Sequence, residues 1–162
     1  RDHPEGIIAG VHANYYFTHP TGGRWPENTS FVKKFYERWK EYPGTMAAGA
    51  YTGMHMFRMA VEKANYLLGG WPADEAIIAM LEGMLMPSPG GYTYIRPDNH
   101  QAYKDGITGI SKNSADYGFQ TLDPKRIITV PIRTITAPPG WKKVEPTAAY
   151  TWVNETWPSV GS

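Results

Sequence analysis

Asp98-Asn99-His100 sets a carboxylate two residues from an imidazole, the composition of a proton relay or of half a metal site. The tripeptide follows Pro97 and lies between two stretches rich in β-branched and aromatic residues, "YTYIR" and "GITGIS". Pro-Asp-Asn is turn chemistry, because proline restricts φ while Asp and Asn side chains bond their own backbone. A turn needs no special surroundings, whereas a relay needs a cleft and a partner that the residue order does not supply. Asp98 to His100 is therefore read as the tip of a hairpin. The other histidines, 3, 12, 19 and 55, lack the four-residue helical spacing of a zinc pair, and His55, between two methionines, reads as a packed or partly exposed helix residue. "TGGR" and "LGGW" lack the glycine grammar and lysine of a phosphate loop, and no serine sits in a nucleophile elbow. Neither a metal nor a cofactor is expected.

A second cluster has more to offer a ligand. "EGIIAGVHA" (5–13) is a short apolar run with the pattern of a buried strand, and its exit carries His12, Asn14, Tyr15, Tyr16 and Phe17. In a parallel α/β sheet, ligands bind beyond the carboxyl ends of strands. Asn offers a donor and an acceptor, and tyrosine a ring face with a hydroxyl, so the cluster suits the wall of a small polar or aromatic site. The competing reading is that two of the three aromatics point into the core.

Three helices must position these groups. "NTSFVKKFYERWKEY" opens with capping residues Asn28, Thr29 and Ser30 and repeats Phe31, Phe35, Trp39 and Tyr42 at helical spacing, a surface helix ended by Pro43 and Gly44. A longer helix is expected from about 45 to 68, with a stripe of Ala47, Ala50, Met54, Phe57, Val61, Ala64 and Leu68. Met56 and Met59 add apolar surface on another side, so much of its circumference should be covered. Gly49 and Gly53, four apart, would let another element approach closely. A third helix over 73–84 has Pro72 near its first turn and Asp74 and Glu75 at its positive end. After Pro87 the texture turns to strands, and Pro131 makes "RIITVPIRTIT" an edge strand or an extended linker.

At 162 residues the chain suits one compact unit, or one piece of a larger one. Sixteen Lys plus Arg against 15 Asp plus Glu, with no basic block, argue against nucleic acid. The absence of cysteine excludes disulfides, thiolate metal sites and cysteine nucleophiles. No apolar run reaches the roughly 20 residues that cross a bilayer. "RDHPEG" is neither a methionine start nor a signal peptide, so either a segment was removed or the chain is a fragment.

Three strings, "FVKKFYERWKEYPG", "AYTGMHMFRMAVEKA" and "YTYIRPDNHQAYKDG", together with the order of elements over about 5–135, resemble the carboxyl-terminal part of a type I periplasmic binding protein. These are the solute receptors of ABC importers for branched-chain amino acids, urea, short amides and aromatic acids. The urea and amide branch is the nearest, through "ANYYF" and "DNHQ". The resemblance implies an α/β, two-lobed Venus-flytrap fold of three-layer αβα lobes, more than twice this length, of which this chain is a fragment spanning the hinge. It implies a strand and helix of the carboxyl-terminal lobe over 1–43, helices and a hairpin packing on the amino-terminal lobe over 44–104, and hinge-returning strands over 105–136; the remainder, 137–162, mixes Pro, Lys, Glu and Trp without a sustained period and reads as an extended aromatic tail that wraps or docks through Trp141, Trp152 and Trp157, longer than the family pattern requires. Function would be capture of a small ligand by cleft closure, without catalysis or cofactor, in the periplasm or outside the cell, with a lipoprotein anchor as one form. Partners would be the solute, the membrane permease of an ABC importer, and a missing amino-terminal portion or companion chain. Asn14, Tyr15, Tyr16, His12 and Met46 are the expected ligand contacts, Met46 by rough alignment with an apolar pocket position. The alternatives are a ligand-sensing receptor or regulator domain on the same fold, and an enzyme with His100 or His12 as base.

Overall fold

The computed structural model describes residues 4–11 and 26–136. Helices α1 (Pro26–Trp39), α2 (Thr45–Leu68) and α3 (Asp74–Leu81) follow strand β1 (Ile8–Val11). Strands β2 (Leu85–Ser88), β3 (Gly91–Ile95), β4 (Ala102–Tyr103), β5 (Gly106–Asn113), β6 (Gln120–Leu122) and β7 (Ile128–Val130) come next, then a short helix α4 (Ile132–Ile135). Among the described residues no helix is long and apolar enough to cross a membrane.

The strands form two sheets, and every pairing among the described residues is antiparallel. In one sheet β5 is central. β1 lies along one edge of it in the register Ile8↔Ile110 to Val11↔Ile107, while β7 and β6 share the other edge. Ile107, flanked by strands on both sides, is essentially buried. The expected strand forms at β1, but as an edge and not as a buried strand: its described partner is β5, and Ile8 is 76% exposed. β7 is an edge strand that stops at Pro131, in accord with proline's lack of a ladder donor.

The second sheet is β2-β3-β4. Its first hairpin turns at Pro89-Gly90, with Gly91 at φ 110°, a conformation that suits glycine. The Ser88 hydroxyl donates to the Gly91 carbonyl and accepts from the Thr93 hydroxyl, so the buried polar groups of the turn satisfy each other.

α2 packs on α3 and on the β2 strand through an unbroken i, i+4 row of Ala48, Thr52, Met56, Ala60 and Ala64, all buried. Small side chains along that row let its neighbours come close, and the Thr52 hydroxyl is satisfied by the Ala48 carbonyl at 2.8 Å. This row corrects the expected stripe. Of the residues assigned to it, Ala64 is buried, Met54 is 68% exposed and Leu68 67% exposed. The sequence pattern identifies an apolar face, but the face covered here is the one beside it. The helix ends at Gly69, which takes φ 73° and donates its N–H to the Asn65 carbonyl. α3 stops at Leu81, three residues short of the expected end.

α1 begins at Pro26, so Asn28, Thr29 and Ser30 lie inside the helix and do not cap it. Asn28 is buried, and its amide donates to the Pro89 carbonyl at 2.8 Å, which fastens α1 to the hairpin turn. Phe31 is buried with its ring centroid 4.9 Å from that of Tyr51 on α2. Further along the expected stripe Phe35 is half-buried and Trp39 exposed. Beyond the helix Tyr42 meets Tyr117 and Phe119 of the β5–β6 loop edge-on at 5.1 and 5.8 Å, so the two sheets' surroundings are joined by an aromatic cluster.

Asn28→Ala removes a donor from a buried carbonyl, and the expected loss of stability is about 1–3 kcal/mol. Urea unfolding of the variant checks it, and an unchanged midpoint would show that the Asn28–Pro89 bond does not hold α1.

Candidate functional site

An open cleft of about 990 Å3 separates α2 from the β1–β5–β7 sheet. α2 presents Gly49, Gly53, Met56 and Phe57 to it, and the sheet presents Gly10, Ile107 and Thr108. Thr93 and Ile95 of β3 line it on the hairpin side. A side chain added at Gly49 or Gly53 would meet nothing within 4 Å, so the close approach expected at these glycines is not made by any described residue. Gly10 differs: a Cβ there would sit 3.3 Å from the Thr108 hydroxyl, which keeps β1 tight against β5.

One charged side chain, Lys104, lies among the carbon-rich walls. It occupies the link between β4 and β5, where the chain passes from the hairpin to the larger sheet. Burial pushes its pKa below the ordinary lysine value, because an ammonium loses hydration there. Among the described residues it has no hydrogen-bond or ion-pair partner. The adjacent Asp105 carboxylate accepts the Ile132 N–H at 2.9 Å, at the start of α4. Sequence reasoning does not single out Lys104, since a lone lysine between two strand patterns looks like any solvated one.

His12, Asn14, Tyr15 and Tyr16 lie outside the described residues, as do Trp141, Trp152 and Trp157. Met46 stands in the first turn of α2, 86% exposed and three residues before Gly49, hence beside it on the helix surface.

Asp98, Asn99 and His100 form the connection between β3 and β4, as the turn chemistry predicts. The His100 N–H donates to the Arg96 carbonyl and the Arg96 N–H to the Gln101 carbonyl, both at 2.9 Å, and His100 takes φ 56°. Asn99 accepts the Gln101 N–H on its side-chain oxygen at 3.0 Å, the local bond that makes Asn a turn residue. Asp98 is committed to Arg96, whose Nε and Nη2 both reach the carboxylate. Arg96 is buried, donates Nη1 to the Tyr103 hydroxyl at 3.0 Å, and lies over the Tyr103 ring at 5.0 Å. The hydrogen bond to Asp98 raises the Arg96 pKa against the opposing effect of burial. His100 lies at the surface with Nε2 2.8 Å from Glu82. The carboxylate and imidazole that looked like a relay therefore have separate partners.

The two pairs should respond differently to mutation. Arg96→Met removes the two-pronged bond to Asp98 and one of the two donors to the Tyr103 hydroxyl, the other being Asn99 Nδ2, and is expected to cost about 2–3 kcal/mol, whereas His100→Ala breaks an exposed pair worth under about 1 kcal/mol. Chemical denaturation of both variants measures the contrast, and equal losses would contradict the assignment of Arg96 as the centre of the hairpin.

The residue pattern of the family described as "Periplasmic binding protein" matches residues 5–109. Among solved structures, the chain is similar to an ABC-type branched-chain amino acid transporter from Rhodopseudomonas palustris, with 26% identity over 85% of this chain and 34% of that one, at a TM-score of 0.65. A solute binding protein of an ABC transporter from Rhodopseudomonas palustris, in complex with 3,4-dihydroxy benzoic acid, shares the fold at 21% identity over 81% of this chain and 33% of that one (TM-score 0.57). So does a leucine binding protein from Thermotoga maritima, at 20% identity over 78% and 31% (TM-score 0.56). The chain thus spans about a third of the length of these structures. A comparison with curated proteins finds no match.

Proposed function

The chain belongs to the periplasmic binding protein family, and from that premise we propose that the full-length protein is the solute-binding subunit of an ABC importer. It takes up a small amino-acid-like, amide or aromatic-acid solute from the periplasm or the cell exterior and presents it to a membrane permease. The observation that carries this reading is the family pattern over residues 5–109. Two lobes joined by a hinge are suited to closing on a ligand, and the ligand stabilises the closed form by its differential affinity for it. The structure from Rhodopseudomonas palustris with a bound dihydroxybenzoic acid and the leucine binding protein from Thermotoga maritima are the basis for the solute classes named.

On this reading residues 44–104 pack against an amino-terminal lobe, and 105–136 return through the hinge to the lobe that holds 1–43. Asn14, Tyr15 and Tyr16, with His12, bind the solute at the exit of β1, and Met46 adds an apolar contact from the start of α2. The work of the protein is binding and not bond making, and His100, engaged with Glu82 at the surface, takes no part in it.

A thermal-shift screen of amino acids, short amides and aromatic acids on the ligand-stripped full-length protein tests the proposal. A captured solute at a hundred-fold its Kd should stabilise the protein by about 2.7 kcal/mol. Small-angle scattering should show contraction with the same solute. Asn14→Ala or Tyr15→Ala is expected to weaken binding by about ten-fold, while His100→Ala leaves it within about two-fold. No stabilisation by any solute of the panel would overturn the capture reading.

A further inference from the structure

A second hollow, of about 460 Å3, lies between the later half of α2 and the end of α3. Three of the seven methionines line it: Met59 of α2, Met80 of α3 and Met84 of the turn into β2. Met59 is 42% exposed, and Met80 and Met84 are half-buried. This hollow does not belong to the face of α2 left for the amino-terminal lobe. At 3.6 residues per turn, Met59 lies roughly 170° around the helix from the middle of the row Met54, Phe57 and Val61. The other residues that α2 contributes, Glu62 and Lys63, are charged and exposed, as befits a side that meets water. A lobe seated on the apolar row therefore leaves the hollow open. Glu82 stands on its rim, and His100 Nε2 lies 2.8 Å from the Glu82 carboxylate, so the exposed pair at the hairpin tip borders the thioethers.

We propose that Met59, Met80 and Met84 form a site for a soft monovalent cation of the copper(I) class, with Glu82 supplying negative charge at the rim and His100 holding that carboxylate in position. Thioether sulfur is uncharged and polarisable, and it selects copper(I) over magnesium or calcium. Among the described residues no three His, Asp or Glu side chains converge as a metal-binding group, so a hard or borderline cation finds no donor set. Methionine has three rotatable bonds, which lets three sulfurs close on one ion without movement of the backbone. The rim carries Glu62, Glu82 and Lys63, and Glu62 is itself shared with Arg58 at 3.3 Å, so one positive charge is compensated there and two are not. The chain has no cysteine, hence no thiolate of its own to compete for the ion. The site is separate from solute capture, and neither needs the other.

The test uses full-length protein with carbon-13 in its methionine methyl groups, titrated with silver(I), a redox-inert ion of the same class, and with copper(I) under anaerobic reductant. Leucine variants assign the signals. The methyl signals of Met59, Met80 and Met84 should move together to an end point at one ion per protein, while those of Met46 and Met54 stay in place. Met59→Leu and Met84→Leu, which nearly conserve volume, should each lower the affinity by about ten-fold or more and leave the ion-free melting temperature within about 5 °C. Glu82→Gln should weaken binding by about three-fold, an effect that salt reduces. Three methyls that respond at separate midpoints would overturn the proposal, and so would Met46 or Met54 responding at the same midpoint. Unchanged affinity in both leucine variants, or equal binding of zinc(II) at the same three methyls, would overturn it too. If a leucine variant does not fold, the titration of the parent decides alone, by whether the three signals share one end point. Failure here leaves the solute screen untouched, and a silent solute screen leaves this site standing.

Discussion

A helix of 24 residues with apolar side chains on two faces has to be covered twice, and α2 is covered once. Its buried row, from Ala48 to Ala64, takes α3 and the β2–β3 hairpin at close range because most of its members are small. The adjacent row, with Met54, Phe57 and Leu68, faces the cleft or solvent. Apolar surface on that scale is not what an isolated soluble unit presents. It agrees with a chain that spans about a third of the length of the structures it resembles. The open cleft and the exposed Ile8 at the edge strand follow from the same shortage of partners.

Within the chain, backbone pairing and buried polar bonds hold what hydrophobic contact does not. β5 has strands on both edges and so anchors β1, β6 and β7 together, with Ile107 at the centre. On the other side Arg96 serves the hairpin as β5 serves the sheet. Its guanidinium is committed to Asp98 and Tyr103, which fixes the turn that leads through Tyr103 and Lys104 into β5. A buried arginine is tolerated there because its charge and its hydrogen-bond donors have partners. Lys104, eight residues further along the chain, has neither among the described residues.

Much of this was legible locally. The 3.6-residue period and the flanking glycines place α2 over 45–68 with its observed bounds, and Pro97-Asp98-Asn99 marks the turn between β3 and β4. Proline explains both the early start of α1 and the stop of β7. The caps assigned to α1 were not legible, because Asn28 answers to a carbonyl 61 residues away in sequence and not to the helix end. The stripe assigned to α2 misses for a related reason. Met, Phe and Leu at helical spacing say which side chains avoid water, but the covered row is chosen by the neighbours that are present, and those favour alanine and threonine where they approach closely.

By itself the sequence determined the periodic elements, the turns, the lack of thiol chemistry and the membership of a binding-protein family, since each depends on residues near one another along the chain or on their order. Tertiary structure alone decided which face of α2 is buried, that Asp98 and His100 have different partners, and that Lys104 is half-buried on the link between the hairpin and the larger sheet. Those outcomes depend on dielectric surroundings and on contacts between residues far apart in the chain, and a lysine or an aspartate carries no mark in the sequence of the neighbours it will meet.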